Sequence, residues 1–243
     1  MPNRRKYVAG IDGSRAGWVV VLLELNGNGG LLGESCRILP SFLDIARLPE
    51  SPRFAAIDIP IGLPNAAVPG GRTCDREARQ LLGRRGVSVF SPPVRSVLAA
   101  ASYHDAVRLN RRSSRHGIGI SRQVYNLLPK LREVHRAMTP ELQLRIREAH
   151  PELSFAAMNG GSPLIESKHS PAGIRRRRQL LDDHFKQIGD ALDCRRGFDA
   201  AVIDVLDAYA TAWTAWRMAR GKARRIPDEL QLDAQGLRMG IWY

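Results

Sequence analysis

The chain of 243 residues is short of cysteine, aromatics and acids, and it has no long apolar run. Its three cysteines, Cys36, Cys74 and Cys194, stand far apart, with no C-x-x-C pair and no Cys-to-His spacing. That pattern excludes a sequence-local zinc site and a disulfide framework, and it fits a reducing compartment. The start, Met1-Pro2-Asn3-Arg4-Arg5-Lys6-Tyr7, has the basic flank of a secretory signal, but Gly10, Asp12, Gly13 and Arg15 interrupt what would be its apolar core. No apolar stretch approaches membrane-spanning length. The expected location is the cytoplasm, with no membrane partner. Acids are outnumbered, with 24 Asp and Glu against 37 Lys and Arg and a net charge of +13. Such a balance attracts polyanions, so nucleic acid or a phosphorylated molecule is the expected partner. The excess of arginine over lysine also fits a general compositional preference.

What is present is ample core: 44% of the residues are apolar, enough for one large domain or two small ones. Tyr7 to Asp12 predicts a strand, and Trp18 to Leu25 a second, joined through Gly13-Ser14-Arg15-Ala16-Gly17. A Gly- and Asn-rich turn over 26–30 leads to a third strand, Leu31 to Leu39. Ser41 is placed to cap a short helix over Phe42 to Leu48. Phe54 to Pro60 reads as a buried strand that, like the first, contains an aspartate near its end. The first quarter is therefore β-hairpin-β-α-β, and the helical crossover makes the fourth strand a parallel neighbour of the first.

Residues 61–140 differ in kind. Ile61 to Gly71 is loop, Thr73 is placed to cap a helix from Cys74 to Leu82 that Gly83 ends, and Val87 to Pro93 is extended. Ser102 to Met138 is helical, broken at Gly117-Ile118-Gly119, and strongly basic. Without a complete apolar face of its own, this stretch reads as a helical, basic insertion within a single domain spanning 1–243. Alternation resumes from Leu144 to Ala149. A Gly- and Ser-rich loop, a basic helix from Pro171 to Asp183 and a last long helix from Asp199 to Arg220 follow. The last helix carries Val202, Leu206, Tyr209, Trp213 and Trp216 as an apolar stripe, so its tryptophans read as core. Leu237 to Tyr243 is a short strand or tail.

Carboxylates recur at the ends or faces of these elements. Asp12 and Asp58 end strands expected to be parallel neighbours, Glu152 follows His150-Pro151, and Asp204 and Asp207 lie one turn apart on the last helix. Clustered carboxylates raise one another's pKa unless a cation neutralises them, and hard oxygen ligands suit Mg²⁺ or Mn²⁺. Two such ions activate water and stabilise a leaving oxygen in phosphodiester cleavage. A lone acid at a strand end caps a turn just as well, so the case rests on joint placement. His150 is a candidate proton shuttle or an orienter of Glu152, or a histidine bonding a backbone carbonyl. Arg72 and Lys168, in Gly- or Ser-rich loops, are candidate phosphate contacts, and His150 is a third. Arg175 to Arg178 circle their helix, so at most two can share a groove.

Seven motifs run in order over almost the whole chain: Gly10-Ile11-Asp12-Gly13-Ser14-Arg15-Ala16-Gly17-Trp18; Ile57-Asp58-Ile59-Pro60-Ile61-Gly62-Leu63-Pro64; Arg72-Thr73-Cys74-Asp75-Arg76-Glu77-Ala78-Arg79; Ser88-Val89-Phe90-Ser91-Pro92-Pro93; His150-Pro151-Glu152-Leu153-Ser154-Phe155; Ser167-Lys168 with Gly173; and Asp204-Val205-Leu206-Asp207-Ala208. As a set they resemble a bacterial and archaeal family of predicted nucleases, long described as a domain of unknown function. The resemblance implies an α/β fold built on an RNase H-like mixed sheet flanked by helices. It also implies Mg²⁺- or Mn²⁺-dependent hydrolysis of nucleic acid, with Asp12, Asp58, Glu152, Asp204 and Asp207 as metal ligands. Two departures stand out. Ile203 replaces the first of an adjacent Asp pair, which leaves the choice between Asp204 and Asp207 open, and Ser14 stands where many members have Cys.

Two other classes compete. Asp12-Gly13-Ser14 in a hairpin also resembles the phosphate-binding turn of sugar-kinase and actin-like ATPases, although that fold normally duplicates its core and no internal repeat is present here. The third class is a basic nucleic-acid-binding protein whose acids only cap turns.

Overall fold

The apolar pattern of the first two strands decides the architecture, because it buries both of their faces. In β1 (Lys6–Ser14) Val8 faces one side and Ala9 and Ile11 the other, and in β2 (Gly17–Leu25) Val19, Val21 and Leu23 oppose Val20 and Leu22. A sheet apolar on both faces needs a covering layer on each. The computed structural model, which describes residues 6–194 and 200–243, supplies both layers.

With β3 (Leu31–Leu39), β4 (Phe54–Ile57) and β5 (Ile146–Glu148), the sheet has the order β3-β2-β1-β4-β5. The first three strands are antiparallel neighbours, and β4 and β5 run parallel to β1. This is a mixed five-stranded α/β sheet with flanking helices, consistent with the RNase H-like arrangement expected. A small ribbon pairs β6 (Arg225–Ile226) with β7 (Ile241–Trp242).

Ten helices flank the sheet among the described residues: α1 (Phe42–Ala46), α2 (Thr73–Leu82), α3 (Tyr103–Arg112), α4 (Arg122–Asn126), α5 (Leu128–Ala137), α6 (Pro140–Gln143), α7 (Pro151–Met158), α8 (Pro171–Asp182), α9 (Ile188–Cys194) and α10 (Val202–Ala219). Ser41 caps α1 in a capping box with Asp44, as its position predicts. The cap of α2 is Arg72 rather than Thr73. Asp75, three residues on, accepts the Arg72 backbone N–H at 2.8 Å and so closes the turn one residue earlier. The expected extended stretch from Val87 begins instead in a 3₁₀ turn over Gly83–Ser88. Asp199, the expected start of the last helix, lies outside the described residues.

Residues 61–140 form most of the crossover from β4 to β5, and they do contribute an apolar layer. Val97, Ala106, Val124, Leu128, Leu131 and Val134 pack with Ala9, Ile11, Val20 and Ile57 on one face of the sheet. That contribution is split among short helices, of which α5 alone buries a stripe of Leu128, Leu131 and Val134, so the expected lack of an apolar face is corrected. On the opposite face, α10 with α7, α8 and α9 covers Val8, Val19, Val21, Leu23 and Ala56. Trp213 is buried there, as its place on the stripe predicts. Among the described residues no helix is long and apolar enough to cross a membrane.

Candidate functional site

Strand parity carries the first two acids to one place. Val8 and Ala56 face α10, so Gly10 and Asp12 on β1 and Asp58 just beyond β4 face it too. Gly10 pairs with Ala56 across the parallel ladder, and the Asp58 N–H donates to the Ile11 carbonyl at 3.0 Å. Asp12 and Asp58 therefore leave the sheet side by side, at the carboxyl ends of neighbouring strands.

The last helix is held against this point by two residues. A Cβ on Gly10 would stand 2.0 Å from the Ala212 nitrogen and 2.2 Å from the Ala208 carbonyl oxygen, so only glycine lets the helix backbone come this close. The Ile11 N–H donates to Thr211 Oγ1 at 3.0 Å, and that hydroxyl in turn donates to the Ala208 carbonyl at 2.9 Å. Asp207 lies one turn before Thr211 and Asp204 nearly one turn before that, so the clamp aims both at the strand ends. Asp12, Asp58, Asp204, Asp207 and Lys168 line one cleft of about 470 Å³. Its far wall is the β4–β5 crossover, with Gln123 and Asn126 from α4 and Lys130 from α5.

The cleft concentrates negative charge. Burial pushes the Asp12 carboxyl well above the usual carboxylate range, and Asp58, Asp207 and Asp204 push it further. Asp58 is raised to about 6, first by burial and then by Glu152, against the pull of Lys168. Asp207 is likewise raised to about 6 by burial, with Asp58 and Glu152 adding to it. The Lys168 ammonium donates to Asp207 Oδ2 at 2.9 Å. Burial lowers its pKa, but Asp207, Asp58 and Asp12 outweigh that and hold it charged. Asp204 is half-buried and turns one oxygen back to the Ala201 N–H at 3.0 Å, so Asp207 is the deeper of the pair.

The other expected site residues have different placements. Glu152 is buried and chelated by Arg177 at 2.7 and 2.9 Å, with Arg85 at 3.3 Å. It stands behind Asp58 and Asp207 as a neighbouring charge rather than in the cleft lining. His150 caps α7, its Nδ1 accepting the Glu152 N–H at 3.2 Å, and burial lowers its pKa. Arg72 lies outside the cleft, and its guanidinium is spent on Asp75, Glu148 and the Gly62 carbonyl. Lys168 alone of the three expected phosphate contacts lines the cleft. Sequence reasoning missed Gly10 and Thr211. Their signals were a glycine inside an apolar strand and a hydroxyl inside an apolar helix.

The donor set suits a hard divalent cation such as Mg²⁺ or Mn²⁺, because the oxygens are carboxylate and the two ammoniums of the cleft, Lys168 and Lys130, leave its four aspartates with negative charge in excess. Asp207 Oδ1 is buried without a hydrogen-bond partner among the described residues, as an acceptor that awaits a cation would be. Among the described residues no three His, Cys, Asp or Glu side chains converge closely enough to hold an ion as they stand. The chemistry of the donors fits the ion, and in their present geometry Asp207 is paired with Lys168.

Fold and site together define an α/β protein whose mixed sheet opens, at the carboxyl ends of β1 and β4, into a buried acidic cleft. A family model described as "Protein of unknown function (DUF429)" matches residues 10–231, and the chain belongs to that family. No curated protein and no solved structure matches it.

Proposed function

We propose that the protein is a metal-dependent phosphodiester hydrolase of RNase H-like type that acts on nucleic acid in the cytoplasm. The observation that carries this reading is the charge imbalance of the cleft, where Asp12, Asp58, Asp204 and Asp207 are met by the ammoniums of Lys168, bonded to Asp207, and Lys130 alone among the described residues of the lining. A fold does not maintain buried, mutually repelling carboxylates without a compensating partner, and perturbed acids in a cleft mark functional sites. Asp12, Asp58 and Asp207 are the residues that would hold Mg²⁺ or Mn²⁺. Such an ion, when bound, acidifies water and offsets the charge that builds on a phosphate in hydrolysis.

The chain's own residues do the rest. Asp12, Asp58 and Asp207 all hold their protons above the usual carboxylate range and must shed them to serve, so a rise in pH favours the working form of the site. Lys168 balances part of the carboxylate charge and is tethered where a phosphate would approach. Glu152, fixed by Arg177, adds to the negative field behind Asp58 without leaving its pair. The net charge of +13 draws a polyanion to a cleft that is itself acidic.

The test is hydrolysis of labelled DNA and RNA with and without Mn²⁺, by the wild type and by Asp12→Asn and Asp58→Asn. Metal-dependent cleavage lost in both variants is the expected result. ATP turnover without nucleic-acid cleavage would favour the kinase-like class instead. Nucleic-acid binding that needs neither metal nor carboxylate would leave a basic binding protein.

A further inference from the structure

The end of β1 and the crossover wall both carry polar groups that the hydrolytic reading does not use. Ser14 ends β1 two residues beyond Asp12 and is only 7% exposed, yet its hydroxyl has no hydrogen-bond partner among the described residues and lines the cleft. A buried hydroxyl without a partner costs stability unless a ligand or water meets it. At Gly17, the hairpin partner of Ser14, Lys130 of the crossover is fixed by three contacts. Its Nζ donates to the Gly17 carbonyl at 2.7 Å, lies 4.5 Å from the centre of the Trp18 ring, and is 3.9 Å from Glu133. Glu133 is itself engaged by the Trp18 indole N–H at 2.9 Å and the Phe42 N–H at 3.1 Å. An ammonium has three donors, and only one is spent on a short bond, so Lys130 retains hydrogen-bonding capacity toward the cleft.

On α4, Gln123 and Asn126 stand one turn apart with both side chains at the rim of the cleft. Amides carry donors and acceptors together, as base edges do. The wall these residues build also limits what can enter. A cleft of about 470 Å³, closed on one side by α4 and α5, is the size of a small-molecule pocket and not of a groove open to a double helix.

We propose that the end of β1 and the crossover wall together form a nucleotide subsite that admits one unpaired nucleotide at a time, with Ser14 and Lys130 holding its phosphate and Gln123 and Asn126 meeting its base edge. Single-stranded nucleic acid is then the substrate class. The inference rests on the hydrolase reading for the fate of the phosphate, but the subsite can be tested by binding alone.

Binding of a labelled single-stranded decamer and of its duplex is to be measured by fluorescence anisotropy in Ca²⁺, with wild type, Lys130→Met, Lys130→Arg, Ser14→Ala and the double variant Gln123→Ala/Asn126→Ala. Circular dichroism checks that each is folded. The single strand should bind at least about tenfold more tightly than the duplex, Lys130→Met should weaken it by about tenfold, and Ser14→Ala by about threefold. Lys130→Arg should recover part of the loss. The exposed α4 pair, which bears no packing load, should flatten any preference among homopolymers. Equal binding of duplex and single strand, or unchanged affinity in Lys130→Met and Ser14→Ala, overturns the subsite. Displacement of the decamer by an equal concentration of free nucleoside monophosphate assigns the pocket to free nucleotides and overturns the single-strand assignment. A parallel Mn²⁺ cleavage assay separates the two readings. The expected binding pattern without cleavage upholds the subsite and removes the hydrolase, whereas duplex cleavage indifferent to Lys130→Met does the reverse.

Discussion

Two groups of buried acids lie on this fold, and they are built on opposite rules. Around Arg72, the carboxylates of Asp75 and Glu148 accept from its guanidinium at 2.7 and 2.5 Å, Glu148 Oε2 also takes the Ile61 N–H at 2.9 Å, and Asp75 takes the Arg72 N–H. Every carboxylate oxygen there has a donor. In the cleft, Asp12, Asp58, Asp204 and Asp207 face the ammonium of Lys168, and Asp207 Oδ1 has no partner among the described residues. Burial is common to both, so burial alone does not separate scaffold from site. The pairing of the carboxylates differs: each acid of the first, closed group lies against a guanidinium that meets both its oxygens, whereas the second, open group crowds its acids together and leaves Asp207 Oδ1 unmet. Glu152, chelated by Arg177, sits on the closed side of that division although its position in the sequence pointed to the open one.

The comparison can be broken most forcefully at Arg72. Arg72→Met leaves Asp75 and Glu148 buried without their cation, and should cost about 3–5 kcal/mol in urea unfolding. A loss below about 1 kcal/mol would mean that the closed group is not structural after all. Next in size is the effect of an arriving cation. Mn²⁺ at a hundred times its dissociation constant should stabilise the wild type by about 2–3 kcal/mol and leave Asp207→Asn unmoved, as read by thermal unfolding.

Asp58→Asn should act in the opposite direction to Arg72→Met. The folded protein holds the Asp58 proton up to about pH 6, against an ordinary value of 3.8. The unfolded chain thus binds fewer protons between those values, and the stability from the protonated form is present below the lower one and lost as pH rises through the higher. Replacing the carboxyl with a neutral amide should therefore stabilise the metal-free protein by about 1–2 kcal/mol at pH 8 and by less at pH 5, while abolishing hydrolysis. Destabilisation at pH 8 would place Asp58 in the closed class. The smallest change belongs to Asp204. Half-buried and bonded to the Ala201 N–H, it should lose about 0.5 kcal/mol as Asn, with hydrolysis reduced less than in Asp207→Asn.

The sheet was legible because its evidence is local. Alternation, Gly-rich turns and the Ser41 cap place β1 to β4 and α1 within a few residues, and the crossover rule makes β4 a parallel neighbour of β1. Asp12, Asp58 and Asp207 were legible for the same reason, since each lies where an element ends or on a helix face that can be counted. The partners of the acids were not legible. Arg177 is fully buried on Glu152 while Arg176 beside it reaches Asn159, and nothing within a run of four arginines marks which one the tertiary fold will bury. Arg72 looked available because its loop is rich in glycine, but its partner Glu148 lies 76 residues away. The far wall of the cleft was hidden too. Gln123 and Asn126 belong to no periodic pattern, and their place depends on how the long β4–β5 crossover folds back over the sheet.

The clamp between Ile11 and Thr211 has a consequence for how the molecule comes into being. The two residues are separated by 200 positions, and the acids on either side of the clamp come from the first strand and the last helix. During synthesis the leading hairpin can emerge and pair long before Asp204 and Asp207 exist. The acidic cleft therefore assembles only when translation of the folded region is nearly complete. The full set of four aspartates is thus kept apart for most of the time that the chain spends on the ribosome.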